Sequence, residues 1–145
     1  MNSWKGGVFM KKFIAVILCF VTLFTLTITA YASEIMPYSN NVSTTNTTFS
    51  ISGSGSATVN NSYYGIAGKT KSAKIVTKIQ KKVGIIWITV SGGNWTDSST
   101  ATNYSKSHSV QLSSTGTYRA HVEFTISGSG GSDDKITKNV QKTYG

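Results

Sequence analysis

Hydrophobic and polar positions alternate most clearly between Leu112 and Ile126. After Gly116, the apolar residues Tyr118, Ala120, Val122, Phe124 and Ile126 interleave with Arg119, His121, Glu123 and Thr125. A period of two with one apolar and one polar face predicts a half-buried antiparallel strand, and the rest of the chain is read around it. Lys71–Lys82 carries the same period: Ala73, Ile75, Thr77 and Ile79 against Lys74, Val76, Lys78 and Gln80. Lysine and alanine favour helices, but Ile and Val are stiff at χ1 and the alternation decides for a strand.

Weaker patterns fill the remainder. A first strand is expected at Thr47–Ser52, followed by a Gly53–Gly55 turn and a strand over Ser56–Ala67 whose inner face is ambiguous. Val83-Gly84 is a tight connection, and Ile85–Val90 reads as a central strand buried on both faces or as the hairpin partner of the preceding strand. Ser91–Asn94 is expected to be a turn, and Trp95–Ser109 holds one or two edge strands. Gly128–Asp134 is a loop, and Lys135–Tyr144 is the last strand. About seven short strands with glycine-rich turns and no helical period predict an all-β antiparallel sandwich over residues 47–145.

The start of the chain is different. Lys11 and Lys12 precede an apolar run over Phe13–Ile28, and Ala30-Tyr31-Ala32 follows. This order is that of a secretory signal peptide over residues 1–32, cleaved after Ala32. Met10-Lys11-Lys12 is also a natural signal opening, and Lys5-Gly6-Gly7 is encodable by a purine-rich ribosome-binding site. Translation beginning at Met10, in a Gram-positive type of bacterium, is therefore expected. Residues 33–46, polar and containing Pro37, read as a flexible lead-in.

Cysteine and charge narrow the function classes. Cys19 lies inside the apolar run and leaves with it, so the mature chain has no thiol for a disulfide, thiol enzyme or Cys-ligated metal. From Ser33 onward, ten lysines and Arg119 stand against five acids, a net charge of +6. A secreted basic protein favours anionic partners. Lys69, Lys71, Lys74, Lys78, Lys81 and Lys82 concentrate six of those charges, and with Tyr63 and Tyr64 they are the candidate contact face for anionic cell-wall polymer or a membrane surface. Lysine supplies mobile point charges, which suit diffuse attraction and no specific nucleic acid. The same lysines would also guard an edge strand against aggregation.

Catalytic and metal chemistry find little purchase. His108 and His121 are the two histidines, and no Gly-x-Ser-x-Gly elbow accompanies them. A solvated cross-strand position is expected for His121, and a hydrolase is the less favoured reading. Asp133-Asp134 reads as a solvated turn, too few carboxylates for calcium. No cofactor is expected. The Asn-x-Ser/Thr triplets at Asn41, Asn46, Asn60, Asn94 and Asn103 follow from composition.

Leu112, Gly116 and Tyr118, at that spacing, resemble the approach to strand F of immunoglobulin-like sandwiches. The resemblance implies that Tyr118 is a corner tyrosine, that Ala120 holds the position of the second core cysteine, and that Trp87 stands in for the buried strand-C tryptophan. Val122, Phe124 and Ile126 continue the core face. The mature region, with its lysine-rich strand, tryptophan-containing hairpin and Gly-Thr-Tyr-Arg strand, is also similar to small secreted proteins of Firmicutes, a group with no assigned activity, so that the likeness implies a sandwich and assigns no function. A non-catalytic binding or structural module is therefore expected. The alternative is a toxin or bacteriocin-like protein acting on membranes, for which Val83–Val90 is the one stretch able to insert.

Overall fold

The computed structural model describes residues 39–145. The expected signal segment and residues 33–38 of the expected lead-in lie outside them. Seven strands follow in order: β1 (Val42–Ile51), β2 (Ser56–Gly65), β3 (Thr70–Val83), β4 (Ile86–Ser99), β5 (Asn103–Gln111), β6 (Gly116–Gly128) and β7 (Asp134–Tyr144). They form a three-stranded sheet, β1-β2-β5, and a four-stranded sheet, β4-β3-β6-β7. Every pairing is antiparallel. The described residues contain no helix and no cysteine, so the expected all-β sandwich without a disulfide is the architecture found.

The core lies where the two apolar faces meet. Ala73, Ile75, Thr77 and Ile79 of β3 and Tyr118, Ala120, Val122, Phe124 and Ile126 of β6 are buried on the same side of the larger sheet. Phe49, Ala57, Val59 and Tyr63 oppose them from the smaller one. The described residues belong to one compact unit with a single core cluster among them. One polar link crosses the interior: Asn61 Nδ2 donates to Thr77 Oγ1 at 2.8 Å, and Asn61 Oδ1 accepts from Thr47 Oγ1 at 2.9 Å. A buried amide kept in hydrogen bonds incurs little of the cost of a stranded one, and it fixes the register of one sheet over the other.

Three sequence expectations need correction. The sandwich begins before residue 47, because β1 starts at Val42, with Asn41 and Val42 buried. Of the two readings of Ile85–Val90, the buried central strand is not found and the hairpin partner of the preceding strand is. The segment is the turn and outgoing arm of a β3–β4 hairpin, at the edge of its sheet. Gly84, at φ +61°, takes the first place of the two-residue turn, which the hairpin needs to match the strand twist. Ser91–Asn94 is not a chain-reversing turn either. It lies within β4 as a bulge: the register passes from Gln80↔Thr89 to Lys78↔Asn94, with Gly92 at φ +72°.

That bulge explains the misplaced tryptophan. Four residues of β4, numbers 90 to 93, oppose Ile79 alone across it, so the face on which side chains emerge reverses. Trp95 pairs with inward-facing Thr77 and packs on the core, whereas Trp87 pairs with Lys82 on the outer face. Trp87 is only half-buried, beneath the Arg119 guanidinium, whose carbon lies 4.4 Å from the ring centroid. Trp87 is thus not a core tryptophan.

Candidate functional site

The expected basic face does not assemble as one surface. Lys74, Lys78 and Lys82 share the outer face of β3. Lys81 has the opposite parity: its Nζ donates to Ser114 Oγ at 2.7 Å and sits 5.8 Å from the Tyr118 ring centroid. Lys69 and Lys71 lie at the start of β3, the end away from the hairpin. Tyr63 is fully buried, its hydroxyl donating to the Ala101 carbonyl at 2.6 Å, and cannot touch a polymer. Tyr64 is 53% exposed but belongs to the other sheet.

Charge instead segregates along the larger sheet. Asp97 pairs with Ile75, Glu123 with Val76 and Asp134 with Ile126, which puts these acids around the first half of β3. The second half carries Lys78, Lys81 and Lys82. Its neighbours are Arg119, opposite Gln80, and Lys142, opposite Tyr118. Glu123 is the nearest acid to Lys81 by register, about 16 Å back along β3 at the usual strand rise. Arg119 is held in place by its stack on Trp87 and by Nε, which donates to Gln80 Oε1 at 2.8 Å.

At and beyond this basic collar the aliphatic side chains of the hairpin are left largely uncovered. Val83, Ile86 and Ile88 are 49%, 55% and 48% exposed, and Ile85 at the turn is 96% exposed. Val83 and Ile88 line an open cleft of about 280 Å³ with Val90, Leu112 and Tyr118. These are residues of core chemistry on an arm that overhangs the smaller sheet.

Both histidines have partners. His108 Nε2 is 2.7 Å from Asp97 Oδ2, and its ring stacks on Trp95 with centroids 4.8 Å apart. The pair joins β5 to β4, and so one sheet to the other. His121 Nδ1 lies 2.8 Å from Asn139 Oδ1 and Nε2 lies 3.1 Å from Glu123 Oε1, on the outer face. Neither ring has a hydroxyl among these partners, so no serine is poised as a nucleophile. No cluster of metal-ligating side chains occurs among the described residues.

Tyr104, beside the His108–Asp97 pair, has its hydroxyl pKa raised from the ordinary value of 10.0 by burial first, then by Asp97 and by Tyr63. The folded state thus holds the phenol proton more tightly than the unfolded chain does. Its contribution is complete below about pH 10 and is lost as pH rises through the higher folded value. Thermal melts should show stability falling above that pH, and Tyr104→Phe should remove that part of the slope.

Asp134, read from sequence as part of a solvated turn, is buried. Its carboxylate accepts backbone N–H groups from Asn40 at 2.8 Å, Asn41 at 2.7 Å and Val42 at 3.0 Å. Asn41 extends the clamp, donating to the Ser132 carbonyl and accepting from Gly130 N. Its carbonyl accepts from Ile66 N and Thr70 Oγ1. The acid is structural, tying the start of β1 to β7.

Comparison with known proteins places the chain beside none of them: no family model, no curated protein and no solved structure matches it.

Proposed function

We propose that the chain is an exported, non-catalytic binding module that contacts an anionic cell-surface polymer through the hairpin end of its four-stranded sheet. The observation that carries this reading is the segregation of charge. Lys78, Lys81, Lys82, Arg119 and Lys142 gather toward the hairpin end, where Glu123 beside Lys78 is the one acid the paired strands offer, whereas Asp97, Glu123 and Asp134 stand toward the other end among Lys69, Lys71, Lys74 and Lys135. A field of one sign at one end orients the molecule on a charged polymer without needing a shaped pocket. Export rests on the leader pattern before Ser33. The non-catalytic reading rests on the partners of the two imidazoles, which are carboxylates and an amide with no serine or threonine hydroxyl among them.

Charge reversal tests it. Lys78→Glu with Lys82→Glu should weaken binding to purified anionic wall polymer by tenfold or more at low salt. Each lysine contributes on the order of 1 kcal/mol at an anionic surface. Lys69→Glu with Lys71→Glu changes the net charge equally at the far end and should leave most of the affinity. Equal losses in the two pairs would mean that net charge alone attracts the polymer.

A further inference from the structure

The exposed aliphatic residues are confined to one place. Val83, Ile85, Ile86 and Ile88 all belong to the β3–β4 hairpin, and elsewhere among the described residues Tyr64 is the one large hydrophobic side chain exposed to this degree. The tip is narrow and protruding, a two-residue turn with Ile85 almost wholly in solvent. Immediately behind it stands the collar of Lys81, Lys82, Arg119 and Lys142. Trp87 lies at the boundary between the two, level with Lys82. An apolar tip, an aromatic at its base and a cationic ring behind it match the layers of an anionic bilayer: acyl chains, interface, headgroups. We infer that this hairpin docks the protein on anionic lipid membranes, with Ile85 and Ile86 entering the acyl region and Lys81, Lys82, Arg119 and Lys142 held against the lipid phosphates.

The geometry argues against a second copy of the chain as the occupant. Four aliphatic side chains, three of them about half covered already, present less than the ~800 Å² per partner of a standard protein interface. Apposing two tips would also bring two cationic collars together with no acid between them. A membrane needs no such area, since a few inserted side chains and several lysines together hold a peripheral protein.

The inference does not depend on the polymer contact, because the apolar tip has no role in binding a soluble polyanion. The experiment uses the chain from Ser33 to Gly145, which contains the whole sandwich core and omits the apolar leader. It is sedimented with sucrose-loaded vesicles of phosphatidylcholine alone or with phosphatidylglycerol, and tryptophan emission is read in parallel. Sedimentation with the anionic vesicles and a blue shift that disappears in Trp87→Phe are expected. Ile85→Asp should reduce vesicle binding by about tenfold or more, since one isoleucine loses its burial and a charge replaces it. The same variant should bind soluble wall polymer as the parent does, and because Ile85 is almost wholly in solvent it should melt normally. Undiminished vesicle binding by Ile85→Asp would overturn the inference, as would an unchanged Trp87 emission. Dimers in analytical ultracentrifugation that Ile85→Asp dissolves would also overturn it, assigning the tip to a second copy.

Discussion

Asp134→Ala is expected to cost about 3–5 kcal/mol of folding stability. Three backbone N–H groups, from Asn40, Asn41 and Val42, converge on the two carboxylate oxygens, and two of the three bonds are buried. Hydrogen bonds to a charged group contribute about 1.5–3 kcal/mol each, and donors stranded away from water add their own desolvation penalty, though the terms are not additive. The loss would be a large share of a total of about 5–15 kcal/mol. At roughly 4–8 °C per kcal/mol for a domain near this size, the midpoint of a thermal melt should fall by some 15 °C or more. Asp134→Asn keeps one acceptor oxygen and should lose about half as much. Asp133→Ala, an exposed neighbour of the same chemistry, should stay within about 0.5 kcal/mol of the parent. Circular dichroism melts of the three variants check the set. A parent-like Asp134→Ala would mean that the strand start is held by packing alone.

Tyr118→Ala should be of similar size. The side chain is fully buried at the start of β6, where it fills the core below the β5–β6 connection, and its hydroxyl donates to the Ser114 carbonyl at 2.6 Å. Removing a large buried aromatic costs about 3–5 kcal/mol, part of it for the cavity that remains. Tyr118→Phe keeps the packing and loses only the bond, a change of about 1 kcal/mol. Urea titration separates the two, since both should shift the midpoint without altering the slope. If Tyr118→Phe were as damaging as Tyr118→Ala, the hydroxyl bond rather than the ring would dominate the corner. The Ser114 bond closes the bend between β5 and β6, and Lys81, above the same ring, is thereby tied to the corner. Local order at Tyr118 thus sets where one collar lysine stands.

The strands that were legible in the sequence were those with an unbroken period of two. Residues 118–126 present one apolar parity without interruption and residues 73–79 do so except at Thr77, and each is buried on that parity. Reading failed where the parity breaks. Trp87 and Trp95 are eight residues apart, which places them on one face of a regular strand, yet the bulge at Ser91–Gly93 puts them on opposite faces. The start of β1 is obscured in the sequence for another reason. Its Ser, Thr and Asn residues occupy both faces, and a register shift between Val42 and Thr44 spoils what alternation remains.

The clamp and the candidate site were harder still, because both depend on partners distant in sequence. Nothing local distinguishes Asp134 from Asp133. The difference is a register that turns Asp134 inward against donors more than ninety residues away. The six lysines were visible as a cluster, but the pairing of β3 with β6 and β7 decides which of them have Arg119 and Lys142 beside them. The apolar run after Val83 was visible too. That it overhangs the smaller sheet follows from where β2 and β5 end, which no local pattern records.

The central claim is that the hairpin end meets an anionic cell surface. The most direct measurement is co-sedimentation of the chain from Ser33 onward with purified Gram-positive cell walls, intact or stripped of their anionic polymers, at low and raised salt. Binding that requires the polymer and fades as salt rises is the predicted result, since exposed charges are screened within about 10 Å at 0.1 M ionic strength. Equal binding to stripped walls, or none at low salt, would contradict it.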